Sequence, residues 1–304
     1  MLIDSIVSAK QSRTKYQLPI KMKWVIICVV LSPGFTFTPT KAFQPKENLT
    51  KDWPCPSNVD FLPCTCTSSA PNYEFIVDCS NAKTDEELTE AFTSVFPFKD
   101  VYSLTIDQST CQDCDLQIIN QQTFGQVYFK YISIVYTGIE TIGQEAFGNS
   151  HSSLIDLTLS NNKLKSFPVE SLSSYTALTN LYLDSNQFDG TIKISNIESA
   201  SLQILDLSNN PQLAFETASV VRNCPMIQEV NFSNGNLSAI PVEDIEPIGM
   251  FSGLEYIETV SFKNNHIQRI QSDTIVADKK TFLSVDLSGN EITEVHELFV
   301  SGAV

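Results

Sequence analysis

Positive charge is scarce in this chain of 304 residues: 19 Lys and Arg stand against 35 Asp and Glu, a formal net charge of −16. So acidic a surface repels nucleic acid and anionic lipid and favours solubility or a basic partner. Long apolar runs are missing as well. The run at residues 24–31 holds eight residues, against roughly 20 needed to cross a bilayer. No membrane anchor is expected, and residues 301–304 carry no lipid-anchor tail. Histidine is limited to His151, His266 and His296, without the H-E-x-x-H or i, i+4 spacing of a metal site. There is no G-x-S-x-G elbow, phosphate loop or dinucleotide fingerprint. A catalytic reading therefore has little to stand on, and no cofactor or metal is expected. With 42% apolar and 18% charged residues, wholesale disorder is excluded.

What is present begins with a polar, basic lead over residues 1–23, the short apolar run, and a small-residue site at Thr40-Lys-Ala42. This reads as a signal peptide over residues 1–42, cleaved near Ala42 and Phe43, with an uncleaved signal anchor as the alternative. Met22 offers a second start, which would make the preceding residues an extension. Residues 1–42 hold six of the bases and one of the acids, so their removal deepens the net charge to about −21. The mature chain is expected to be secreted and extracellular, with a linker over residues 43–52.

Internal periodicity supplies the architecture. The spacing L-x-x-L-x-L-x-x-N-x-L recurs at Leu154, Leu157, Leu159, Asn162 and Leu164, then at Leu178, Leu181, Leu183, Asn186 and Phe188. Further copies start at Leu202, Ile227, Ile257 and Phe282, and weaker ones at Val101 and Phe129. The eight starts lie 28, 25, 24, 24, 25, 30 and 25 residues apart. Pairs such as Leu157/Leu159 and Leu205/Leu207 alternate inward on a short strand. One coil cannot bury its own apolar face, so neighbours must stack. The fold class predicted is α/β: a leucine-rich-repeat solenoid, a curved horseshoe with a parallel concave sheet and an N-terminal disulfide cap. The cap occupies residues 53–100 and about eight repeats occupy residues 101–304. The ninth position holds an amide, which can donate and accept among buried backbone groups, in Asn162, Asn186, Asn210, Asn265 and Asn290. Ser109, Thr137 and Gly235 break the ladder; near Gly235, Asn234 or Asn236 is expected to turn inward. Phe124, Phe147, Leu172 and Leu254 are expected to plug the convex side, and residues 243–247 to bulge from it.

Seven cysteines follow the leader. Cys55, Cys64, Cys66 and Cys79 cluster ahead of the first repeat, and in a secreted chain this implies two disulfides, with three possible connectivities. Cys111 and Cys114 form a C-x-x-C. Counted from Val101 they fall on the eleventh and fourteenth positions, so they are expected to point inward as buried thiols or a local disulfide. Cys224 is odd by count and is expected to be a buried thiol, or else an intermolecular bridge.

Repeat phase also names the side chains that leave the concave face. The expected contact surface comprises Tyr131, Ser133, Tyr136, Asp156, Thr158, Tyr182, Asp184, Asp206, Glu229 and Glu258; it is polar, mildly acidic and aromatic. A solvated sheet face would also be polar. Sequons at Asn48, Asn231 and Asn236 are candidate glycan sites, and a glycan on Asn231 would cover part of that face. The chain ends directly after the eighth repeat, leaving an apolar end at residues 298–300. Truncation, or an end that meets a partner, is the reading.

Cys55-Pro, Pro63-Cys-Thr-Cys66, Asp78-Cys-Ser80, the stretch from Glu86 to Phe92, Phe96-Pro97 and Phe167-Pro168 resemble the arthropod family of oplophorus-luciferin 2-monooxygenase non-catalytic subunits. The likeness runs from about Trp53 onward. It implies a secreted, glycosylated accessory subunit that accompanies a separate small catalytic protein, so no catalytic residue carries over. It also implies the pairing Cys55–Cys66 and Cys64–Cys79. An innate-immune or receptor-like recognition ectodomain and a matrix adhesion protein remain alternatives.

Overall fold

A computed structural model describes residues 55–301, apart from 70–73, 189–196, 216–219, 222, 241, 243–249, 252–253, 273, 277–283 and 298–299. The leader, the linker, Asn48, the expected bulge at 243–247 and most of the apolar end lie outside the described residues. Within them, each repeat contributes one short strand because its apolar residues alternate, burying one side of a pleated segment. The strands are β1 (Thr65–Ser69), β2 (Glu74–Asp78), β3 (Asp100–Asp107), β4 (Tyr128–Val135), β5 (Asp156–Thr158), β6 (Asn180–Tyr182), β7 (Ile204–Asp206), β8 (Glu229–Asn231), β9 (Thr259–Ser261) and β10 (Ser284–Asp286). They form one ten-stranded sheet in sequential order. β1 and β2 are an antiparallel hairpin; every later neighbour is parallel.

Register brings the inward residues into line: Leu104, Ile132, Leu157, Leu181, Leu205, Val230 and Val260 stack from strand to strand, and each is 0–1% exposed. Burying such a side chain stabilises by about 1.5–3 kcal/mol. A second stack, Ile106, Ile134, Leu159, Leu183, Leu207, Phe232 and Phe262, is equally closed. Behind the sheet the chain returns with little helix, in 3-10 turns at Gly148–Ser150 and Val169–Ser174. Phe124, Phe147, Leu172 and Leu254 are buried there. This is a parallel-sheet, leucine-rich-repeat solenoid.

The amide ladder satisfies backbone that cannot pair in the sheet. Asn186 Nδ2 donates to Leu159 O (2.9 Å) and Leu183 O (3.0 Å), while its Oδ1 accepts from Leu164 N at 3.0 Å. Asn162, Asn210, Asn265 and Asn290 repeat this pattern. Where the amide is missing, the outcome differs from expectation. In the first repeat the buried inward group is Gln108, whose Nε2 donates to Ala82 O at 2.6 Å, while Ser109 is exposed. Thr137 joins through its hydroxyl, donating to Asn162 Oδ1 at 2.7 Å. At Gly235 neither Asn234 nor Asn236 turns inward; both are exposed. Asn265 reaches across instead, and a Cβ on Gly235 would lie 2.8 Å from its Oδ1.

The inward phase expected for Cys111 and Cys114 is likewise corrected. Ile119 pairs with Ile142 and Ile118 with Thr141, and Glu140 N donates to Gln117 O. Leu116 and Ile119, both 0% exposed, therefore fill the positions that Ile139 and Ile142 fill in the next repeat. Residues 111–115 form an insertion outside the repeat phase, and both cysteines are half-exposed.

The cap closes the N-terminal end of the stack. Disulfides join Cys55 to Cys66 and Cys64 to Cys79. Helix α1 (Asp85–Ala91) follows a Thr-x-x-Glu box. Thr84 Oγ1 accepts from Glu87 N, an amide that the first turn leaves unpaired, and Glu87 Oε2 accepts from Lys83 N just before the cap. The helix ends in an aromatic cluster in which Phe92 touches the rings of Phe61, Phe96, Phe124 and Phe129.

Candidate functional site

The side of the sheet that faces solvent presents an ordered polar surface. Because pairing is parallel and in register, outward residues form rows across the strands. One row runs Ser133, Thr158, Tyr182, Asp206, Asn231, Ser261 and Asp286. The adjacent row runs Tyr131, Asp156, Asn180, Ile204 and Glu229. Most expected contact residues thus lie side by side. Asp184 follows β6, where it accepts from the Ser160 hydroxyl and from Ser185 Oγ. Glu258 is placed just before β9.

Tyr136 departs from the expectation. It lies beyond β4, at φ +56° in the turn after the strand, and is 52% exposed. The reading also missed two participants. Tyr102 packs its ring against that of Tyr131, centroids 5.0 Å apart and planes tilted by 48°, with Lys130 Nζ 5.9 Å from the Tyr102 centroid. Asn180 donates to Asp156 Oδ2 at 3.0 Å. An apolar-to-polar alternation identifies outward positions, but it does not reveal which of them lock together.

Hydrogen bonds fix the carboxylates in place. Asp156 Oδ1 accepts from Thr158 Oγ1 at 3.1 Å, and Asp206 accepts from Ser208 N (2.8 Å) and Asn231 Nδ2 (2.9 Å). Across β5–β8 the two rows carry Asp156, Asp206 and Glu229 and no Lys or Arg; the flanking cations are Lys130 and Lys263. Tyr182 stands among these acids. Burial first, then the charges of Asp156, Glu229 and Asp206, hold its hydroxyl above the usual tyrosine range. The surface is therefore an acidic field around a protonated phenol, suited to cationic and hydrogen-bonding groups.

The sequon residues differ in setting. Asn231 is half-buried in β8, its Nδ2 held by Asp206 and its Oδ1 accepting from Ser233 Oγ at 2.7 Å. Asn236 is exposed in the following turn. The histidines lie off the sheet rows. His151 packs edge-on to Tyr175, with ring centroids 4.6 Å apart, and its Nε2 is 3.5 Å from Glu145. His266 Nδ1 lies 2.7 Å from Glu291. Among the described residues no group of three or more His, Cys, Asp or Glu is placed to hold a metal ion, and no helix is long and apolar enough to cross a membrane.

Stacked strands, an inward leucine spine and an asparagine ladder define the class: a leucine-rich-repeat protein. Residues 129–188 match the leucine rich repeat family. The chain is also similar to the oplophorus-luciferin 2-monooxygenase non-catalytic subunit of Oplophorus gracilirostris, 28% identical over 243 residues. That alignment covers 71% of this chain and 66% of the relative, so the chain spans just under two thirds of the relative's length. Solved structures that overlap it include a leucine-rich-repeat protein of Leptospira interrogans (18% identity, TM-score 0.41, 68% of this chain and 52% of that one). The Toll–Spatzle complex of Drosophila overlaps at 13% identity, TM-score 0.44, over 74% of this chain and 39% of that one.

Proposed function

We propose that this protein is a secreted, non-catalytic binding scaffold, the accessory subunit of an extracellular complex whose chemistry belongs to a separate small catalytic protein. The sheet face over β5–β8 makes the contact. The observation that carries this reading is the pair of outward rows in which Asp156, Asp206 and Glu229 surround Tyr182 without an opposing cation. A fixed acidic and aromatic face offers a basic partner charge complementarity and a rigid anchor. Two further features support it: cap disulfides belong to oxidising compartments, and the similar protein of Oplophorus gracilirostris is named as a non-catalytic subunit.

Co-purification from the native source, followed by mass spectrometry, tests the reading. One small protein in stoichiometric amount is expected; a microbial polysaccharide in its place would move the chain to the recognition class. With that partner in hand, the triple variant D156N/D206N/E229Q should weaken binding tenfold or more. The charge-matched control E86Q/E90Q/E170Q, on exposed residues away from the sheet, should leave binding within about twofold. Equal loss in both would show that net charge, not this face, does the work. Luciferin oxidation by the isolated chain would defeat the non-catalytic reading.

A further inference from the structure

We propose that the Cys111–Cys114 disulfide is a thiol–disulfide exchange site, a surface bond that opens and recloses while the repeat stack stays folded. The bond joins two residues three apart in sequence, inside the insertion at residues 111–115. Such a short ring removes little chain entropy from the unfolded state, so the fold gains little from it. Both flanks are held without it. On one side Gln108 is buried, its N donating to Val135 O and its Nε2 to Ala82 O. On the other, Asp115 N donates to Lys83 O at 2.7 Å and Leu116 is 0% exposed. The cap bonds contrast in span, 11 and 15 residues, and in burial on at least one sulfur: Cys64 and Cys79 are 2% and 0% exposed, and Cys55, paired with the partly buried Cys66, is 8% exposed.

Access and redundancy together are what separate an exchangeable disulfide from a structural one. The co-reactant is a dithiol. One of its thiolates attacks a sulfur of the pair, forming a mixed disulfide while the Cys111–Cys114 bond breaks and the released sulfur takes up a proton. The second thiol then closes the dithiol's own disulfide and frees the other cysteine as a thiol. Two electrons pass to the protein and the dithiol is oxidised. Charge selects among reductants. Asp107, Asp113 and Asp115 are exposed around the loop, and the neighbouring cation is Lys83, whose carbonyl accepts from Asp115 N, so the net field slows a reductant of net negative charge and favours a neutral or cationic one.

Full-length protein exposed to stepped dithiothreitol, then alkylated and digested, gives the test. Label is expected on Cys111 and Cys114 at concentrations at least tenfold below those that label the cap cysteines, with unchanged circular dichroism. Opening of the cap bonds at equal or lower concentration overturns the proposal. The variant C111S/C114S should fold with an unchanged melting temperature, and its failure to fold would show the bond to be structural and overturn the proposal as well. As monothiol probes of the first step alone, cysteamine should form the mixed disulfide several-fold faster than glutathione at low salt, and added salt should erase the difference. Equal rates at low salt would overturn the charge selection.

Discussion

Tyr136 occupies a position that the other repeats give to different residues. Asn161, Ser185, Asn209, Asn234, Asn264 and Gly289 hold the equivalent place, all with φ between +55° and +71°. The turns after β4 to β10 adopt left-handed backbone, which Asn and Gly take at low cost and a bulky side chain does not. Tyr136→Asn should therefore raise stability by about 1 kcal/mol in urea denaturation; a loss would mean that its half-exposed ring makes a compensating contact. Cys224 gives a second test. It is 0% exposed, and burial pushes its thiol up to about 11, so iodoacetamide at pH 8 should leave it unlabelled until the protein unfolds. Tyr175 gives a third. Burial first and Glu145 second hold its hydroxyl far above the ordinary value of 10.0. A raised folded value means stability that is full below pH 10 and lost as pH climbs beyond it. Tyr175→Phe should flatten that alkaline loss in a series of urea midpoints.

At the scale of the element, the ladder makes each strand depend on the next. Asn186 serves four backbone groups from two consecutive repeats. Asn186→Ala should cost about 3 kcal/mol, because buried amide and carbonyl groups lose their partners together. Asn290→Ala, at a half-exposed site, should cost about a third of that, since water can replace the side chain; equal losses would contradict the burial argument. Strand and ladder positions were legible because every repeat writes the same phase. Legibility failed where the phase was interrupted. The insertion at residues 111–115 keeps apolar residues at both the counted and the shifted positions, Cys111 and Cys114 against Leu116 and Ile119, so counting alone prefers the wrong pair. Gln108 escaped for a different reason: it stands one residue before the expected amide, in a stretch still in register with the next repeat. Gly235 could not be read from its own neighbours, since the group that fills the space, Asn265, belongs to the following repeat.

Over the whole molecule, the outward rows were readable as positions, while Tyr102 with Tyr131 and Asn180 with Asp156 were not, because those contacts join neighbouring repeats. Complex formation driven by the acidic rows should weaken as salt rises, chiefly through slower association. Surface plasmon resonance with the co-purified partner would show it, and salt-independent association would place the contact elsewhere. The sequential order of the ten strands has its own consequence. Each strand is flanked in space by its chain neighbours alone, so tension between the two termini should peel coils away from an end, one after another, like slices leaving a loaf. What remains after each release is a shorter stack of the same kind.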